Sequence, residues 1–221
     1  MPRLKKQTPT LVEEMALFEQ GYSFIAGLDE AGRGCLAGPV VAGAVILPER
    51  EDTLELFDGV NDSKKLSPAT RDRLYDHIMQ HAVSVGVGIG SVDEIDTRNI
   101  LQATKYAMQL ALQQLKPTPQ ALLLDAIYLP KVPLPQRSII KGDARSLSIA
   151  AASIIAKVTR DRIMVALHQE YPEYGFEQHK GYGTAAHLDA LHRHGATPQH
   201  RRSFAPVREL FGLFASSENN N

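Results

Sequence analysis

Residues 24 to 47 read Phe24-Ile-Ala-Gly-Leu-Asp-Glu-Ala-Gly-Arg-Gly-Cys-Leu-Ala-Gly-Pro-Val-Val-Ala-Gly-Ala-Val-Ile-Leu47. An apolar run climbs to two adjacent carboxylates, Asp29 and Glu30. A glycine-rich turn around Arg33 follows, and a second apolar run leaves it. The outer runs are short, β-branched and bounded by glycine and proline, the pattern of two buried strands joined by a tight connection. Acids at the end of a buried strand are costly unless metal ions or cationic partners compensate them. On local sequence alone the stretch also reads as a hairpin turn carrying two surface acids.

Gly32, Gly34 and Gly38 surround Arg33 with backbone that can take positive φ and approach a ligand closely. Successive N–H groups in such a turn form an anion-binding concavity, and the guanidinium adds a fork suited to phosphate. The stretch matches neither common phosphate loop. It lacks Gly-Lys-Ser/Thr, and Pro39-Val40-Val41 stands where a dinucleotide-binding helix would begin. The single cysteine, Cys35, excludes an internal disulfide and suits a reducing compartment. With no histidine near it in sequence to act as base, it reads as a packing residue.

The 221 residues suffice for one well-packed domain, and a net charge of −1 confines any nucleic-acid surface to a local patch. Candidates are Lys64-Lys65, Lys141 with Arg145, Lys157 with Arg160 and Arg162, Lys180, and Arg201-Arg202. Each alone reads as a solvated face. No apolar stretch approaches the roughly 20 residues of a membrane span, and the N-terminal start lacks the apolar core of a secretory signal. A cytoplasmic protein is expected.

Residues 11 to 20 read as a helix with Leu11, Met15 and Phe18 on one side. Residues 48 to 66 read as a polar loop. Ser67 as N-cap and Pro68 in the first turn open a helix through His81. Residues 82 to 90 alternate as a strand, with Gly86, Gly88 and Gly90 on one face for close helix packing. A helix spans 97 to 115, its stripe traced by Ile100, Leu101, Thr104, Met108, Leu112 and Leu115. Ala121 to Ile127 and Arg137 to Asp143 read as short strands, the first carrying Asp125 near its end and the second finishing on an acid. Between them, the proline-rich residues 130 to 135 cannot be sheet interior. A helix over 146 to 170 uses Ala150, Ala151, Ala152 and Ala156 to approach a sheet. Helices at 184 to 194 and near 207 to 214 complete the pattern. It predicts an α/β fold with a mixed β-sheet flanked by helices and a C-terminal helical extension. Residues 1–10 are expected to be flexible, 11–214 to form one domain and 215–221 to be disordered.

Asp29, Glu30, Asp125 and Asp143 are thus each predicted at the end of an apolar strand. If those ends meet on one sheet edge they form an oxygen-rich cluster suited to Mg²⁺ or Mn²⁺. Two such ions roughly 3.5–4 Å apart can activate water and stabilise a leaving oxygen in phosphodiester hydrolysis. Zinc fits poorly, because His179, His187, His192, His194 and His200 lack a convincing ligand pairing and read as surface residues.

Several blocks in order resemble bacterial ribonuclease HII, the type 2 ribonuclease H. They are Gly27-Leu-Asp-Glu-Ala-Gly-Arg-Gly34, Asn61-Asp-Ser-Lys-Lys-Leu66, Leu124-Asp125, Lys141-Gly-Asp143, Ser148 through Asp161, and His179-Lys-Gly-Tyr-Gly-Thr184. The resemblance implies a ribonuclease H-like fold. It implies hydrolysis of RNA in RNA·DNA hybrids and nicking 5′ of a single ribonucleotide in duplex DNA, by a protein expected to be monomeric. It assigns Asp29, Glu30, Asp125 and Asp143 as metal-binding catalytic acids, with Asp29 shared between the ions. By the same resemblance Gly32, Arg33 and Gly34 sense the 2′-hydroxyl, and Tyr182 stacks on the sugar after the ribonucleotide. Lys64, Lys65, Lys141, Lys157, Lys180 and Arg201 become phosphate contacts. Ser148, Ser153 and Thr184 read as capping or packing residues, and Asp161 and Asp189 as exposed helix acids. A junction resolvase-like nuclease and a non-catalytic nucleic-acid binding module on the same fold are the competing readings.

Overall fold

The computed structural model describes residues 8–210. Expectations for residues 1–7, for the apolar Phe211 to Phe214 and for the 215–221 tail lie outside it. Thr10, expected in a flexible segment, pairs as an isolated bridge with Ser146. Helix α1 is Val12–Phe18. Its inward residues are Glu14 and Leu17, while Met15 is exposed, contrary to the apolar stripe read from sequence. The reason is polar. The buried Glu14 carboxylate accepts from Ser146 Oγ at 2.6 Å, Ser148 N at 2.9 Å and Ser148 Oγ at 2.7 Å.

Strands β1 (Ile25–Ala31) and β2 (Val40–Ile46) pair antiparallel, as the opening stretch predicts. The expected loop beyond them contains a short helix, α2 (Thr53–Leu56), and buries Phe57 and Val60. It ends in a 3₁₀ turn at Ser63–Lys65. Helix α3 spans Pro68–His81 with the Ser67 side chain accepting from Thr70 N, matching the sequence reading at both ends. Strand β3 is Ser84–Gly90.

The predicted helix over 97 to 115 is two helices, α4 (Val92–Arg98) and α5 (Ile100–Gln114). Asn99 separates them at φ 69° and caps the second by accepting from Gln102 N at 3.1 Å. Ser91 and Glu94 form a capping box ahead of the first, a signal present in the sequence. The buried stripe of α5 runs through Ala103, Thr104, Ala107, Met108 and Ala111, and Leu101 faces outward.

Strands β4 (Ala121–Asp125) and β5 (Gln136–Ile139) follow, then helix α6 (Leu147–Glu170). Short helix α7 (Phe176–His179) and helix α8 (Ala185–His194) come next, and a last helix begins at 205. The five strands form one mixed sheet in the order β3-β2-β1-β4-β5, with β1–β4 and β4–β5 parallel.

Glycines set how closely each face is covered. A Cβ on Gly86 or Gly88 would fall 2.1 or 1.8 Å from the carbonyl oxygens of Ala111 and Ala107, so α5 packs directly on β3. On the opposite face, a Cβ on Gly27 would meet the Ser148 backbone at 2.2 Å and one on Gly43 the Ala152 carbonyl oxygen at 2.4 Å. Helix α6 therefore lies across β1 and β2, where small residues on both sides admit it.

Candidate active site

Side chains alternate along a strand, so Asp29 shares the α6-facing side of β1 with Gly27. In β4, Ala121 and Leu123 pack with Ile149 of α6, which puts Asp125 on that same side. The parallel register Leu28↔Leu124 places the two aspartates next to one another at the following step. Asp143 arrives from a different element than predicted. Strand β5 stops at Ile139, and Asp143 lies in a 3₁₀ turn at Gly142–Ala144. Gly142 N donates to Asp125 Oδ1 at 2.8 Å, which locks that turn against the end of β4.

Asp29, Asp125 and Asp143 each offer a carboxylate oxygen within 4.8 Å of the others. Glu30, one residue on, belongs to the opposite side of the strand and stands outside this triad. Its Oε1 accepts from Arg33 Nη1 at 3.1 Å, while its Oε2 is buried without a hydrogen-bond partner among the described residues. Burial, and then the charges of Glu30 and Asp125, push the Asp29 carboxyl well above its ordinary value. Burial raises Glu30 against the opposing pull of Arg33, and burial with Asp62 and Asp125 raises Asp143. Three crowded carboxylates and an orphaned fourth oxygen are a hard-donor set, and a divalent cation of the Mg²⁺ or Mn²⁺ type fits it.

The Gly-Arg-Gly turn stands beside this cluster. Gly32 has φ 98°, and a Cβ there would lie 2.0 Å from Arg160 Nε, so glycine is required by both conformation and space. Gly34 is different: among the described residues a Cβ there would meet nothing within 4 Å, and its backbone is not left-handed. The turn is held from beneath by two buried arginines, Arg160, which reads in sequence as part of a solvated face, and Arg201, which reads as a phosphate contact. Arg160 donates to the carbonyls of Pro39, Ala37 and Lys180 at 2.9, 3.0 and 2.8 Å. Arg201 donates to Gly38 O at 2.8 and 3.0 Å and to Arg33 O at 3.0 Å, so it is no phosphate contact. Burial, reinforced by Arg160, brings the Arg201 guanidinium down to about 10. No local pattern marks these arginines.

The remaining predicted residues divide. Lys64 Nζ lies 3.9 Å from Asp143; burial pulls it down, and the carboxylates of Asp29 and Asp143 more than offset that, so its net shift is upward. Lys65 pairs with Asp62 at 3.5 Å, and Lys157 with Asp161 at 2.6 Å. Lys180 bonds the Glu177 carbonyl, and Lys141 takes a left-handed backbone ahead of the Asp143 turn. Tyr182, 44% exposed, has its hydroxyl close to the buried Cys35 thiol. Ser148 binds Glu14, Ser153 donates to Ala150 O, and Thr184 caps α8, all structural roles. Asp161 is half-buried between Lys157 and Arg71. Asp62, absent from the sequence-derived site, lies in hydrogen-bond reach of Asp143. His187 and His200, read as surface residues, are buried.

Comparison with known proteins agrees with this geometry. The sequence profile of the ribonuclease HII family matches residues 26–207. A ribonuclease HII of Bacillus cereus (strain G9842) is 59% identical over 197 residues, 89% of this chain and 75% of that protein. The ribonuclease H2 of Pyrococcus horikoshii OT3 has a TM-score of 0.74 at 31% identity, covering 87% of this chain and 99% of that one. Bst ribonuclease HIII, solved in complex with Mn²⁺, shares the fold at TM-score 0.67 and 19% identity over 86% of this chain and 70% of that one. The sheet topology, with its match to the Pyrococcus horikoshii structure, and the aspartates gathered beside β1 and β4 define a ribonuclease H-like protein with a candidate metal centre. By profile and by identity, the chain belongs to the ribonuclease HII family.

Proposed function

We propose that this protein is a metal-dependent endoribonuclease. Its substrates are the RNA strand of RNA·DNA hybrids and single ribonucleotides embedded in duplex DNA, nicked on their 5′ side. The observation that carries the reading is the clustered triad Asp29, Asp125 and Asp143 beside the Gly-Arg-Gly turn, in a chain of this family. Asp29, Asp125 and Asp143 would hold the metal, with Glu30 contributing its unpartnered oxygen. Bound there, two Mg²⁺ or Mn²⁺ ions would supply Lewis-acid stabilisation and activated water for hydrolysis to 5′-phosphate and 3′-hydroxyl ends.

The chain's own groups do the rest. Gly32, Arg33 and Gly34 present backbone amides and a guanidinium to the ribose and its phosphate. Tyr182 offers a ring face to the next sugar, and Lys64 stands 3.9 Å from Asp143 beside the acids. A cavity of about 760 Å³ runs on from Tyr182, lined by Lys180 and by Lys157, Arg71 and Arg162, the last three paired with Asp161 and Asp72 on the same wall. Its cations suit a phosphate backbone. Lys65, the neighbour of Lys64, is paired with Asp62 and would add a further phosphate contact. Among the described residues no helix is long and apolar enough to cross a membrane. A monomer in the cytoplasm is the state we assign, checked by light scattering and cell fractionation.

The test is cleavage of a DNA duplex containing one ribonucleotide, with Mg²⁺, with Mn²⁺ and with excess chelator, beside an all-DNA control. One metal-dependent nick 5′ of the ribose, absent from the control, is expected. No cleavage by a folded sample would replace this reading with the non-catalytic binding module.

A further inference from the structure

Tyr182 follows two left-handed residues, Lys180 at φ 52° and Gly181 at φ 82°, and its ring is half-exposed. Its main chain is nevertheless tied from several sides. Arg160 binds the Lys180 carbonyl, Leu36 N donates to Gly181 O at 2.8 Å, and Gly181 N donates to His179 Nδ1 at 3.2 Å. Behind the turn His179, His187 and His200 cluster against Phe176, with the His179 and His187 rings stacked at 4.5 Å.

Hydrogen-bond partners determine which nitrogen of each ring carries the proton. His187 Nδ1 lies 2.9 Å from the Tyr182 carbonyl, which can only accept, so His187 donates from Nδ1. Its Nε2 is then an acceptor, and His200 Nε2, at 3.1 Å, must donate to it. That leaves His200 Nδ1 as an acceptor, and Thr197 N and Thr197 Oγ1 stand 3.0 and 2.9 Å away to donate. The chain closes without conflict, directed from Thr197 through His200 and His187 to Tyr182. It requires both rings to be neutral, and burial brings each down to about 4.

We propose that His187 and His200 are positioning residues for Tyr182, a one-way hydrogen-bond chain that fixes the tyrosine beside the Gly-Arg-Gly turn and so sets preference for an RNA-to-DNA junction. The inference rests on the functional reading above. His200 is suited to this coupling because it also pairs with Ala37 of the glycine-rich connection. One chain thereby joins the segment after α8 to both substrate-facing turns.

The test is a double-mutant cycle at pH 7.5 with His187→Phe, Tyr182→Ala and the double variant. Specificity constants are measured on a duplex with one embedded ribonucleotide and on a continuous RNA·DNA hybrid. We expect His187→Phe to lose about tenfold on the junction substrate, about threefold or less on the hybrid, and nothing further in the Tyr182→Ala background. His187→Asn, whose amide can still donate to the Tyr182 carbonyl, is expected to restore most of the junction preference. Equal losses on both substrates, or losses that multiply in the double variant, overturn the proposal. If the variants do not fold, ¹⁵N shifts of the wild-type imidazoles decide: His187 protonated on Nδ1 and His200 on Nε2 support the chain, and any other pair overturns it. A wild type that cuts neither duplex overturns the functional reading and the positioning role together, and that control tells the two failures apart.

Discussion

Asp29 carries the site's main electrostatic burden. It is buried near the end of β1, faces Asp125 and Asp143, and accepts a hydrogen bond from the Glu30 amide at 2.7 Å. Without metal the cluster repels itself, so Asp29→Asn should raise the melting temperature in chelator by roughly 2–4 °C, about 1 kcal/mol for a domain of this size. The same variant should lose about a thousandfold in turnover, the rate equivalent of about 4 kcal/mol of charge stabilisation. Calorimetry and a cleavage assay on one preparation check both, and a variant that is less stable and fully active would remove Asp29 from the site. Arg33 behaves oppositely. Its side chain pairs with Glu30 and is partly exposed, while its carbonyl is held by Arg201. Arg33→Ala should leave the fold intact at a cost of about 1–2 kcal/mol, that of one charged hydrogen bond to the Glu30 carboxylate. It should reduce discrimination between ribose and deoxyribose at the cut site, and outright unfolding in a melt would make the side chain structural instead.

At the scale of elements, glycines divide into those that helices press on and those that face open space. Gly88→Ala would push a methyl group to 1.8 Å from the Ala107 carbonyl, and denaturant melts should show a loss of about 3 kcal/mol. Gly34→Ala should cost almost nothing in the same measurement, because its position is empty. The first of these roles was legible: the Gly86, Gly88, Gly90 alternation announces a strand face under a helix. So were the Ser67 cap of α3 and three of the four acids as one cluster, since periodicity and capping are local properties. Asp143 was found, although its strand ending was not, because a 3₁₀ turn leaves no periodic trace. The clamps were invisible. Arg201 meets Arg33 across 168 residues, and a buried arginine bonded to carbonyls looks in sequence like any surface arginine. Met15 misled for a related reason. A helix is expected to turn its apolar side inward, and α1 instead buries Glu14 because Ser146 and Ser148 complete its bonding.

Two balances act on the molecule as a whole, and they respond oppositely to acid. The crowded acids lose repulsion when metal binds, so Mg²⁺ at about 100 times its dissociation constant should add about 2.7 kcal/mol. The melting temperature should rise accordingly, and Asp29→Asn should shrink that rise; an unchanged temperature would count against the triad as the metal centre. His187 and His200 have folded values of about 4, below the roughly 6.5 of an unfolded histidine. The fold therefore binds fewer protons than the open chain between those limits. Stability from these residues is complete above about pH 6.5 and is lost toward pH 4, at about 1.4 kcal/mol per unit for each ring. The raised carboxylates of Asp29, Glu30 and Asp143 favour the fold as pH falls, so the diagnostic quantity is a difference. Wild type should lose more stability than His187→Phe between pH 6.5 and 4.5, and parallel curves would assign the histidines no part in it. The Arg201 clamp has a further consequence during synthesis. A ribosome that has made Asp29, Asp125 and Asp143 has delivered every acid of the triad, yet the loop beside them still lacks the guanidinium that grips Gly38 and Arg33. That grip closes only after residue 201 has left the exit tunnel, so a half-made chain carries the acids without the finished loop that would aim them at RNA.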